Sequence, residues 1–213
     1  MSQSMQFVEP VMFNSCLSGE LRARTAMLHS RVEHVLGLPS AIGSTNCYAS
    51  YLARFLGLYE PLEAQLASFS NWANQSLALR PQTQSALICA DLAALGRDPG
   101  AAARTPFRLL PKLPTFSHAV GALYVIEGAR LGGRVILRDL DTRLGADIAG
   151  ARSFFGGGGG ARLADWGSVK AALDDFGKGR PEAREQAAQG AKRTFESMLL
   201  WFGPLAAARR RRS

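Results

Sequence analysis

Large apolar residues return every three or four positions along most of this chain, and no run of alternating strand residues or hairpin turn interrupts them. The clearest stretch is 46–69, where Tyr48, Tyr51, Leu52, Phe55, Tyr59, Leu62, Leu66 and Phe69 share one helical face. Such a stripe must be buried against other helices, so the period dictates an all-α architecture. Pro61 inside the stretch is expected to kink or split it. A helix over about 18–36 precedes it, with Ser18 as N-cap, Glu20 in its first turn, and Gly37 and Pro39 as its stop. A third is expected over 81–95, with Pro81 at its first position and Gly96 at its end, followed by a loop over 96–114. Thr115 caps a helix to about Leu140, Asp165 caps a short one to about Phe176, and a last one covers about 181–202. Six to eight helices in one domain follow. The expected division is an extension over 1–17, a helical domain over 18–205 and a basic tail over 206–213.

The 213 residues suffice for a sizeable core, and a hydrophobic share of 47% is globular rather than disordered. The longest apolar stretches, "AVGALYVI" and "MLLWFGPLAAA", fall short of the roughly 20 residues that span a bilayer. "MSQSMQFVEP" has no secretory pattern, so a cytoplasmic location is expected. Cys16, Cys47 and Cys89 stand far apart without a C-x-x-C pair, which argues for reduced thiols. Of the net charge of +8, four charges sit at Arg209–Arg212, leaving +4 on the body. That balance suits a small anionic ligand as well as a polyanion, and the tail reads as a solvated end rather than a nucleic-acid contact.

Three constellations carry chemistry. In "TAMLHSRVEH", His29 and Glu33 are four apart on one helix face, where the carboxylate can accept one imidazole N–H and leave the other nitrogen free for a metal. Arg22 lies seven residues before His29, within about 20° around the helix. The same residues also fit a satisfied core histidine beside a solvated arginine. His34 is roughly 140° away from His29 and reads as a surface residue. The second constellation is "EGARLGG": Gly128 and Gly132 make a side-chain-free strip, with Gly133 beside it, and each glycine costs about 1 kcal/mol in a helix interior. A flat ligand against bare backbone would offset that cost, as would close packing of two helices. His118, earlier on that helix, has no carboxylate three or four positions away and reads as core or surface. The third, Lys192 with Arg193 near Phe195, could hold a carboxylate or simply be a solvated face. The run Gly156–Gly160 resembles a phosphate loop in composition only, since no strand precedes it and no Lys-Ser/Thr follows.

Together, "LRARTAMLHSRVE", "YLARFLGLYEPLE", "ALYVIEGARLGGRVILR", "FFGGGGG…W" and "AKRTFESMLLWF" resemble the heme oxygenase family in order and spacing from residue 21 to about 202. The resemblance is to its bacterial branch, whose members supply biliverdin to bacteriophytochromes. It implies heme held between a proximal helix and a kinked, glycine-bearing distal helix. It further implies that His29 is the iron ligand, that Glu33 holds its ring, and that Gly128, Gly132 and Gly133 lie over the other heme face. Arg22, Lys192 and Arg193 would contact heme propionates. Heme would be both cofactor and substrate: O2, activated at its iron with electrons from a separate reductant, attacks a meso carbon and releases biliverdin, CO and iron. Two departures stand out. Ala129 occupies the place where animal-type members carry an Asp, and the five-glycine loop is more unusual than related sequences lead one to expect. A noncatalytic heme carrier or sensor, and a heme-free helical interaction protein, are the alternatives.

Overall fold

The computed structural model describes residues 16–76, 79–158 and 165–210, with side chains to 207. The expectations for the 1–15 part of the extension, for Gly159 and Gly160 of the glycine run and for the charges of the basic tail lie outside the described residues. Among those described, the secondary structure is helical: α1 (Leu17–Leu36), α2 (Thr45–Ala67), α3 (Ser85–Ala94), α4 (Phe116–Leu144), α5 (Ser153–Gly156), α6 (Trp166–Gly177) and α7 (Pro181–Arg210).

Several helix ends differ from the sequence expectation. Helix α1 begins one residue before Ser18, with Cys16 at the cap position and no side-chain cap. Ser18 instead directs its backbone N–H and hydroxyl to Asp174 of α6, at 2.7 and 3.2 Å. Helix α2 continues through Pro61 unsplit, capped by the Ser44 hydroxyl at the Cys47 N–H, because apolar burial on its inner face outweighs one lost hydrogen bond. Helix α3 starts at Ser85 rather than Pro81, since Glu63 of α2 accepts from the Gln84 and Ser85 N–H groups and so fixes the start. Helix α7 runs past Phe202 to Arg210 and carries Pro204 within it. The Gly37 stop holds, in the left-handed conformation at φ 63°. Asp165 caps α6 by accepting from the Ser168 N–H at 2.8 Å.

Helix α7 packs on both α1 and α4 and is the central element. Its crossing with α4 depends on reciprocal glycines. A Cβ on Gly121 would land on the Ala187 carbonyl of α7, and one on Gly190 would land on the His118 carbonyl of α4. Only bare backbone allows that approach. On the α1 side, Arg24 grips Glu185 through two bonds at 2.7 and 3.0 Å, while Glu20 accepts from Arg24 and Arg184. The hydrophobic core gathers Leu17, Leu21, Tyr48, Leu52, Phe55, Val120, Leu123, Phe195 and Phe202 between these helices. His118 is buried there, bonded through Nδ1 to Thr115, and burial lowers its pKa. No described helix is long and apolar enough to cross a membrane.

Candidate active site

Helix α1 buries Leu21, Thr25 and Val32, and the strip beside that edge, Arg22, His29 and Glu33, is exposed. The His29 Nδ1 lies 3.7 Å from a Glu33 oxygen, one side-chain adjustment beyond a hydrogen bond, with Nε2 on the ring's far side. The imidazole is more than half exposed, at 56%, which rules out the satisfied core histidine that the sequence left open. Phe195 of α7 meets the ring edge-on at 5.7 Å and 82°, and steadies its plane from behind. Sequence reading placed Phe195 on an apolar helix face without linking it to His29; helical spacing carries no signal for that contact.

Helix α4 changes character halfway along. Its first turns are buried almost all round, whereas beyond Gly128 one flank opens: Leu131 and Val135 are 45% and 58% exposed although apolar. Gly132 lies on the same flank and is exposed, and a Cβ placed there would meet nothing within 4 Å. Gly128, one turn earlier, would place a Cβ 3.6 Å from the Trp166 indole. Gly133 does not join this strip. It is buried, with its bare Cα facing the Phe155 carbonyl of α5 at 3.0 Å from an added Cβ, so its reason for being glycine is packing. Asp91 holds α5 in that place by accepting from the Ser153 and Phe154 N–H groups at 2.9 and 2.8 Å.

The two exposed strips spring from one corner. Tyr124, one turn before Gly128, reaches the Thr25 side chain one turn before His29 and feels the Arg22 charge; burial raises its phenol pKa, which Thr25 and Arg22 partly offset. Trp166 at the start of α6 lies tilted against Tyr124, ring centroids 5.7 Å apart. Helix α6 packs along α1 and reaches Ser18 with Asp174, and Lys170 is exposed between Trp166 and Asp174. Tyr124 and Lys170 were not singled out from the sequence, and Trp166 entered only as the last letter of "FFGGGGG…W" with no role given, because their roles depend on how α6 returns to α1.

Lys192 and Arg193 diverge. The Arg193 guanidinium donates to the Lys112 carbonyl at 2.8 Å and faces His118, away from His29. Lys192 sits half-buried near Glu185, whose carboxyl Arg24 chiefly holds down at about 2. The two do not converge on one carboxylate. His34, exposed as expected, lines a groove of about 360 Å³ with Ser30, Arg31, Val35 and Leu199, on a flank of α1 turned away from Arg22, His29 and Glu33. Behind the glycine strip, Glu127 pairs with Arg130 at 2.6 Å; burial raises its carboxyl pKa, and its Oε1 has no described hydrogen-bond partner. Among the described residues no group of three or more His, Cys, Asp or Glu side chains could hold a metal ion. Any iron held through His29 would need its remaining ligands from a bound molecule.

An exposed imidazole and a side-chain-free strip, open at Gly132 and bounded by the Trp166 indole at Gly128, suit a flat metallated macrocycle. The Heme oxygenase family model matches residues 15–203, and the chain belongs to the heme oxygenase family of heme-degrading oxidoreductases. Among solved structures, it is similar to the NO- and CO-bound heme oxygenase from Neisseria meningitidis, at 21% identity over 88% of this chain and 92% of that one, with a TM-score of 0.58. That likeness bears on the fold. No curated protein matches the chain.

Proposed function

We propose that this chain opens heme oxidatively to biliverdin, CO and iron, with His29 as the axial iron ligand. The observation that carries the reading is the bare strip at Gly128 and Gly132, a cradle that any Cβ would begin to fill, placed one corner away from an exposed histidine. The residues present therefore fit heme. When bound, heme supplies the iron chemistry with O2 and electrons from a separate donor; the protein's share is placement.

His29 would hold the iron through Nε2, and Glu33, 3.7 Å from Nδ1, would fix the imidazole's tautomer once its carboxylate closes that gap. Phe195 holds the ring plane. Gly128 and Gly132 let the α4 backbone approach the opposite face, and Leu131 and Val135 exclude water from its edge. Arg22 offers a cation to a propionate. Of the basic pair on α7, Lys192 is on the α1 side, whereas Arg193 is committed to Lys112; Lys170 on α6 is a better candidate for the second propionate. Ala129 brings no carboxylate to the strip, so Glu127, held by Arg130, is the nearest carboxyl in sequence able to anchor water for proton delivery.

Titrating the protein with hemin should give a histidine-ligated Soret band that His29→Ala abolishes, and adding reductant should release biliverdin. An unchanged band in the variant would remove the ligand assignment. Tight binding without biliverdin would favour the carrier reading instead. The sequence resemblance to the bacterial branch supports a bacteriophytochrome as acceptor of the product. Turnover beside an apo-bacteriophytochrome should then generate its red-absorbing adduct.

A further inference from the structure

We infer that Trp166 is the stop that sets the in-plane rotation of the macrocycle, and with it the meso carbon that is opened. The inference rests on the heme reading above. The α4 strip is unequal along its length: the Trp166 indole lies 3.6 Å from an added Cβ at Gly128, while Gly132 one turn on meets nothing. The indole is held there by its tilted contact with Tyr124 at 5.7 Å and 40°, and Tyr124 is tied to Thr25 of α1. Asp165 caps the helix that carries it, through the Ser168 N–H and hydroxyl at 2.8 and 3.2 Å. A planar ligand lying on this strip can turn about the His29–iron axis only until its edge meets the indole. An axial histidine by itself leaves that rotation free, and long, exposed cations such as Arg22 and Lys170 can follow a propionate through a range of angles, whereas the packed indole cannot. On this strip open room lies over Gly132 alone, so the edge of a bound macrocycle turned beneath it would be the one opened, and the rotation angle would select the product isomer.

The experiment compares wild type with Trp166→Ala and Trp166→Phe, both loaded with hemin and cyanide. The hyperfine-shifted heme methyl proton resonances report the in-plane angle without turnover, and chromatography of the biliverdin isomers reports the outcome. Wild type should show one dominant methyl pattern. Trp166→Ala should keep the histidine-ligated Soret band yet raise a second methyl pattern and a second isomer by roughly tenfold or more, the scale of one lost apolar contact. Trp166→Phe should fall between the two. Identical methyl patterns and isomer ratios in all three proteins would overturn the inference, and they would leave the heme reading intact. Should Trp166→Ala lose its helical circular dichroism, Trp166→Phe alone decides by the same two readouts. A wild type that does not bind hemin would overturn the heme reading itself.

Discussion

At the scale of single residues, the glycines of α4 and α7 separate into two kinds, and the separation is testable. Gly121 is needed because a methyl there would run into the Ala187 carbonyl. Gly121→Ala should cost about 3 kcal/mol through overpacking, read as a lower urea midpoint. Gly132 has open space where its side chain would be. Gly132→Ala should therefore raise stability by about 0.5–1 kcal/mol, as any exposed helical Gly→Ala does, while slowing hemin turnover. A variant both more stable and less active would mark Gly132 as a residue kept for ligand access. Asp91 gives a third case. Asp91→Ala strands the Ser153 and Phe154 N–H groups and frees α5 from Gly133, which should cost about 2–4 kcal/mol in chemical denaturation.

At the scale of elements, the contact of α1 with α7 sets where His29 stands, and charge contributes to it. Arg24 lowers the Glu185 carboxyl to about 2 from its ordinary 4.5. The folded chain thus releases that proton more readily than the unfolded one. The stabilisation is fully present above about pH 4.5 and drains away as pH falls toward 2. Because Glu185 is half exposed, at 50%, the pair is worth under about 1 kcal/mol at low salt and fades toward 1 M salt. Acid titrations of the Glu185→Gln variant should accordingly be flatter than wild type between pH 4.5 and 2, with the difference gone at high salt. Helix α6 has the opposite profile. It is tied down at both ends, by Asp174 on Ser18 and by Asp165 on its own first turn, and it brings Trp166 and Lys170 beside a helix 140 residues earlier in sequence.

At the scale of the whole molecule, α7 holds the two halves of the site, and the ligand should lock them together. Hemin at about 100 times its dissociation constant should add roughly 2.7 kcal/mol, a rise of several degrees in Tm, and His29→Ala should lose most of it. How much of this was legible beforehand follows from what is local and what is not. The helical class, the stop at Gly37, the Asp165 cap and the pairing of His29 with Glu33 are spaced by the 3.6-residue repeat, so the chain determines them by itself. The helix starts at Leu17 and Ser85, the continuity of α2 through Pro61 and the length of α7 went the other way, because partners remote in sequence, Asp174, Glu63 and the buried faces, outbid local propensity. The same limit applies to the site. Sequence spacing grouped Gly128, Gly132 and Gly133, and paired Lys192 with Arg193. Only the packing of α5 against Gly133, and of the loop before α4 against Arg193, could divide those groups into members left open and members taken up by packing. Adjacent residues on a helix point about 100° apart, and what each one then meets is decided by tertiary neighbours that the local sequence does not encode.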